Sequence, residues 1–183
     1  PNSENDKIGE GYHIAVFCAA KFLEKADDNN FYPNIYQKIS IELTRRNSIG
    51  TLISVNQKEN YQDTERLLTL HKFDGIIALG MLGEEFFNTV RKTGLPRVNV
   101  DTDDNYSDTP MVLIENIYSV CSITEHLVAM GHKEIGFIGS VKVTKSIMDR
   151  YLGFLRTMML NGLEVKKEWL LEDRTPDNEK MDF

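Results

Sequence analysis

The feature that most limits the fold of this chain is an alternation of two periods. Short apolar runs take turns with longer segments whose apolar residues recur at helical spacing. The runs have the length of buried strands, and the segments have the length of helices. Residues 13–18 predict a first strand. Residues 31–47 follow as a helix, with Tyr32, Ile35, Ile39 and Leu43 on one stripe and Gly50 expected to stop it. Strands are expected at 51–55, Gly75–Leu79, Arg97–Val100, 111–114 and 135–138, with a shorter one at 168–171. Helices are expected at 60–71, around Leu82, Phe86 and Val90, at 116–130 and at 146–160. The stretch 101–108 reads as a polar loop, and 172–183 as a loose polar tail. Strand and helix repeated in this order mean a parallel sheet with helices on both faces, a doubly wound α/β fold. Strands buried on both faces read as continuous apolar runs, as these do.

Such a sheet binds ligands at the carboxyl ends of its strands. The informative residues are then 19–32, Gly80 and Met81, 101–104 and 140–150. At 183 residues the chain suits one large domain or two small lobes. A net charge of −7 argues against a phosphate-gripping surface. The basic pairs Arg45-Arg46, Arg91-Lys92 and Lys166-Lys167 read as solvated helix ends. No apolar run approaches the length of a membrane span. The polar opening 1–11 reads as a linker and lacks the apolar centre of a signal peptide, so a cytoplasmic place is expected. Cys18 and Cys121 read as buried thiols, with no ligand cluster for zinc around them.

Enzyme signatures are missing. There is no phosphate loop, no dinucleotide glycine pattern after the first strand, no nucleophile elbow and no HExxH. No catalytic residue, cofactor or metal is expected. Asp101, Asp103 and Asp104 could in principle hold a cation, but an acidic loop is ordinarily just solvated. The Asn105-Tyr106-Ser107 triplet matches a glycosylation acceptor, a pattern common by chance.

Residues 126–139 (HLVAMGHKEIGFIG) resemble the HLxxxGHxxIxFIG signature of the LacI/GalR family of bacterial regulators. The run 149–154 (DRYLGF) resembles that family's xRxxGF element, 72–77 (KFDGII) its xVDGII strand, 95–101 (LPRVNVD) its IPVVxID, and 30–32 (NFY) the opening of its first helix. The resemblance spans 12–162. It implies a two-lobed, periplasmic-binding-protein-like sensor. A first lobe is expected at 12–114 and a partial second lobe at 115–183. A helix-turn-helix head is expected to be absent from this stretch, along with the later sensor segments. It further implies a small effector, a sugar first of all, taken between the lobes. Other implications are a homodimer and operator DNA held by the separate head.

Arg150 matches the position of the family arginine that bonds ligand oxygens, and a planar guanidinium suits paired oxygens. A surface arginine paired with a nearby carboxylate is the alternative. Asp101 ends the fourth strand, where it can accept from sugar hydroxyls or serve as a turn aspartate. Phe31 and Tyr32 open the first long helix. One ring is expected to face a ligand and the other to join the core, with the choice left open. Met81 is a candidate for an adaptable apolar wall. Ser146, with Lys145, could face ligand oxygens at a helix start or act as an ordinary N-cap. Two rival readings are a secreted sugar-binding protein of a transport system and an α/β sugar-modifying enzyme.

Overall fold

The computed structural model describes residues 11–24, 30–56, 61–102, 108–176, 178 and 181. The acidic residues Asp103 and Asp104 and the triplet at Asn105 lie outside them. The chain divides into two compact units, 1–113 and 114–183.

In the first unit β1 (His13–Ala19), α1 (Lys21–Glu24), α2 (Phe31–Arg45), β2 (Ile49–Val55), α3 (Gln62–Leu70), β3 (Gly75–Leu79), α4 (Glu84–Arg91), β4 (Arg97–Val100) and β5 (Met111–Val112) follow one another. Every strand pair is parallel, in the order β2-β1-β3-β4-β5. Alternate residues of β1 serve opposite faces. Ala15, Phe17 and Ala19 pack with Leu68, Phe86 and Phe87 from α3 and α4. Val16 and Cys18 pack with Tyr32, Ile35, Tyr36 and Ile39 from α2. The expected doubly wound sheet is therefore present. Burial also pushes the Cys18 thiol up to about 11.

The order reverses at β1, so the strands on its two sides carry their crossovers on opposite faces. The crevice of such a sheet opens beside the tips of β1 and β3.

In the second unit α5 (Asn116–Ala129) and α6 (Lys145–Leu160) pack over the parallel pair β6 (Phe137–Ile138) and β7 (Leu170–Leu171), and a short 3-10 turn, Lys167–Trp169, leads into β7. Ile135, Phe154 and Met158 form its core. The two helices meet at Gly153, where a Cβ would stand 2.3 Å from the Ile117 carbonyl oxygen. No helix among the described residues is long and apolar enough to cross a membrane.

Several local expectations are corrected. Gly50 does not stop α2. It lies inside β2 opposite Ile14, and Leu43 approaches it so closely that a Cβ would meet that side chain at 2.8 Å. The turn after α2 is made by Asn47, in the left-handed region at φ 55°, with the Ser48 N–H returning to the Leu43 carbonyl. The strands expected at 111–114 and 135–138 shorten to two residues each. The tail is not wholly loose. Ser140, 3% exposed, receives the Asp173 and Arg174 N–H groups on its hydroxyl, and its own N–H donates to Asp173 Oδ1.

Candidate functional site

The tips of β1, β3 and β4 bring two of the expected residues into contact. Gly80 follows β3, with φ 75° and its N–H on the Val100 carbonyl. A Cβ there would stand 2.7 Å from Tyr32 Cε1, so the tyrosine ring lies on bare backbone that only glycine provides. Asp101 follows β4, a non-glycine residue in the left-handed region at φ 51°. The Tyr32 hydroxyl donates to Asp101 Oδ2 at 2.8 Å. Burial, followed by the negative charge and hydrogen bond of Asp101, holds the Tyr32 phenol far above its ordinary value. It is a hydrogen-bond donor at every pH the protein meets.

Phe22 of α1 packs on the Tyr32 ring with centroids 4.4 Å apart and planes inclined by 36°. Phe31 meets the same ring edge-on at 5.0 Å. Tyr32 packs on the β1–β3 core, whereas Phe31 joins neither core cluster. Met81 follows Gly80 and is half-buried. One oxygen of Asp101 is thus occupied in a fixed direction, and an ionised carboxylate has further acceptor sites to offer.

The second unit places Arg150 and Ser146 on α6. Arg150 is exposed, and its Nε donates to Asn116 Oδ1 at 2.8 Å. Asn116 is 8% exposed and passes an N–H to the Ile114 carbonyl. The partner of Arg150 is a buried amide, not the carboxylate of the alternative reading. Ser146 does not cap α6. Thr144 does, accepting from the Ile147 N–H at 3.1 Å, and the Ser146 hydroxyl lies 3.0 Å from the Thr144 hydroxyl. Sequence reasoning passed over Phe22 and Asn116. An asparagine at a helix start reads as a cap, and Phe22 lies in a segment too short to carry a period. No group of three His, Cys, Asp or Glu side chains among the described residues is placed to hold a metal.

A family model described as periplasmic binding proteins and sugar binding domain of LacI family matches residues 19–181. The chain belongs to this family. The HTH-type transcriptional regulator RegA of Clostridium saccharobutylicum is 28% identical over 149 residues, covering 79% of this chain and 45% of that protein. The HTH-type transcriptional repressor PurR of Actinobacillus pleuropneumoniae serotype 5b (strain L20) is 31% identical over 121 residues, 64% of this chain and 35% of that protein. The chain spans less than half the length of either relative. Among solved structures, the transcription regulator CcpA of Lactococcus lactis matches with a TM-score of 0.70 at 18% identity, over 91% of this chain and 60% of that one. A complex of the transcriptional regulator CelR with cellobiose matches with a TM-score of 0.69 at 16% identity, over 87% of this chain and 50% of that one. These likenesses establish the family's α/β fold here. The named relatives are regulators and repressors rather than enzymes.

Proposed function

We propose that this chain is the effector-sensing domain of a transcription regulator, and that its first unit takes a small polyhydroxylated effector, a sugar first of all, at the tips of β1, β3 and β4. The observation that carries this reading is the Tyr32–Asp101 pair seated on Gly80 at the reversal of the sheet. A fixed carboxylate oxygen accepts from a sugar hydroxyl, and an aromatic ring receives the apolar face of a pyranose. The cellobiose bound to CelR, a neighbour in fold, supports a sugar. Phe31 and Met81 are the first unit's further candidate contacts, and Arg150, held at Nε by Asn116, and Ser146 are those of the second unit. Operator DNA is held by a helix-turn-helix domain of the same protein, two copies pair as a homodimer, and the protein works in the cytoplasm. The effector acts by binding one conformation of the regulator more tightly than another, since only that difference shifts the equilibrium.

Thermal unfolding of the encoded protein against a panel of mono- and disaccharides, nucleobases and amino acids tests this. A true effector at about a hundred times its Kd adds about 2.7 kcal/mol to the native state. A sugar that raises Tm supports the reading, and a folded protein that no compound stabilises overturns it.

A further inference from the structure

We propose that Phe22, on the short helix α1, is a positioning residue of the effector site. It clamps the Tyr32 ring onto Gly80 and so keeps the Tyr32 hydroxyl on Asp101. The inference rests on the reading of this site as an effector site, but its geometry stands on its own. Tyr32 stands in the first turn of α2, where a long side chain has more than one rotamer available. Besides the core beneath it and Phe31 at its edge, two surfaces close those alternatives. One is the Gly80 backbone, too near the ring to admit a Cβ. The other is the Phe22 ring, 4.4 Å away. Phe22 is itself accompanied by the Lys21 ammonium, 5.2 Å from its centroid, a cation–π spacing.

Without Phe22, part of the Tyr32 ring would return to water and its hydroxyl could bond solvent instead. An exchange of that kind costs little, because a hydrogen bond is replaced rather than lost. The Asp101 carboxylate would then turn freely at the tip of β4. Binding sites hold their selectivity when the contacting group is fixed by a supporting layer, and Phe22 is that layer here. α1 therefore bears on which effector is accepted, through Tyr32 and Asp101.

The test contains no effector. The chain is prepared with tyrosine labelled at the ring carbons, and Tyr32→Phe identifies the Tyr32 signals among the seven tyrosines. Asp101 and Cys18 are the charged or titratable groups that bear on the Tyr32 hydroxyl. In the unmodified chain the Tyr32 Cζ signal is expected to hold its phenol position up to about pH 11, above the ordinary phenol range. In Phe22→Leu, Tyr32 is expected to titrate within that window and its paired ring signals to merge as the ring turns faster. Phe22→Tyr keeps a ring at this place and is expected to behave like the unmodified chain. Should Phe22→Leu fail to fold, Phe22→Met carries the same comparison. Tyr32 signals unchanged in Phe22→Leu or Phe22→Met overturn the proposal, as does a Phe22→Tyr chain in which Tyr32 is released. A protein that no sugar stabilises leaves this result intact, so the two readings fail separately.

Discussion

Asn99 is fully buried in β4, and neither its amide nitrogen nor its carbonyl oxygen has a partner among the described residues. Its neighbour across the ladder is Ala78, which belongs to the apolar face under α3 and α4. An unsatisfied buried amide costs about 1–3 kcal/mol, and an apolar group of similar shape removes that cost. Asn99→Leu is therefore expected to stabilise the first unit by about 1 kcal/mol, read from denaturant unfolding; a lower midpoint would show that the amide is satisfied after all. Arg150 is a different case, exposed yet anchored through one donor to buried Asn116. Arg150→Ala is expected to weaken effector binding by about 1–3 kcal/mol, as for a lost charge-assisted hydrogen bond. Unchanged affinity in a calorimetric titration would remove Arg150 from the site.

At the scale of elements, the alternation of periods was legible because burial on two sheet faces demands it, and β1 shows this residue by residue. Boundaries were less legible. An apolar run specifies neither burial nor pairing by itself, so 111–114 looks like a full strand although Leu113 and Ile114 lie outside the ladder and the whole run is exposed. Gly50 was misread because glycine serves both turns and close helix–strand contacts, and here Asn47 supplies the turn. α1 has four residues, too few to show a helical period. Of the site, Tyr32 and Asp101 could be singled out, but their mutual contact spans 69 positions and no local pattern encodes it. Gly153 stands out in the sequence only within the run 149–154, and its physical role is the crossing of α5 and α6. Gly153→Ala is expected to force the two helices apart and cost about 1–3 kcal/mol, measured as a loss of unfolding free energy.

The tail is fastened by hydrogen bonds to Ser140, one of which ends on the Asp173 carboxylate. Burial pushes the Asp173 carboxyl up, but the Ser140 N–H and the Arg174 guanidinium outweigh it and hold the carboxyl below the usual aspartate range. A lowered folded value stabilises the native state above the unfolded value, about pH 4, and that contribution is lost as pH falls through the folded value. Urea unfolding of the chain and of Asp173→Asn across a pH series should show a gap between the two at neutral pH that closes in acid. A constant gap would mean that the Asp173 charge is not what fastens the tail.

For the whole molecule, the fold, the family and the site point one way. A doubly wound sheet opens a crevice where its order reverses, and the side chains found there are an oriented carboxylate and clustered aromatic rings. A net charge of −7 gives this chain little with which to grip phosphates. The decisive measurement is a calorimetric titration of the encoded protein with the sugar that most raises its Tm, repeated on Asp101→Asn and Tyr32→Phe. Asparagine tolerates the left-handed backbone at 101, and phenylalanine keeps the ring on Gly80, so both variants should fold. The account predicts a loss of about 1.5–3 kcal/mol in binding for Asp101→Asn and a smaller loss for Tyr32→Phe. Wild-type affinity in both variants would contradict it.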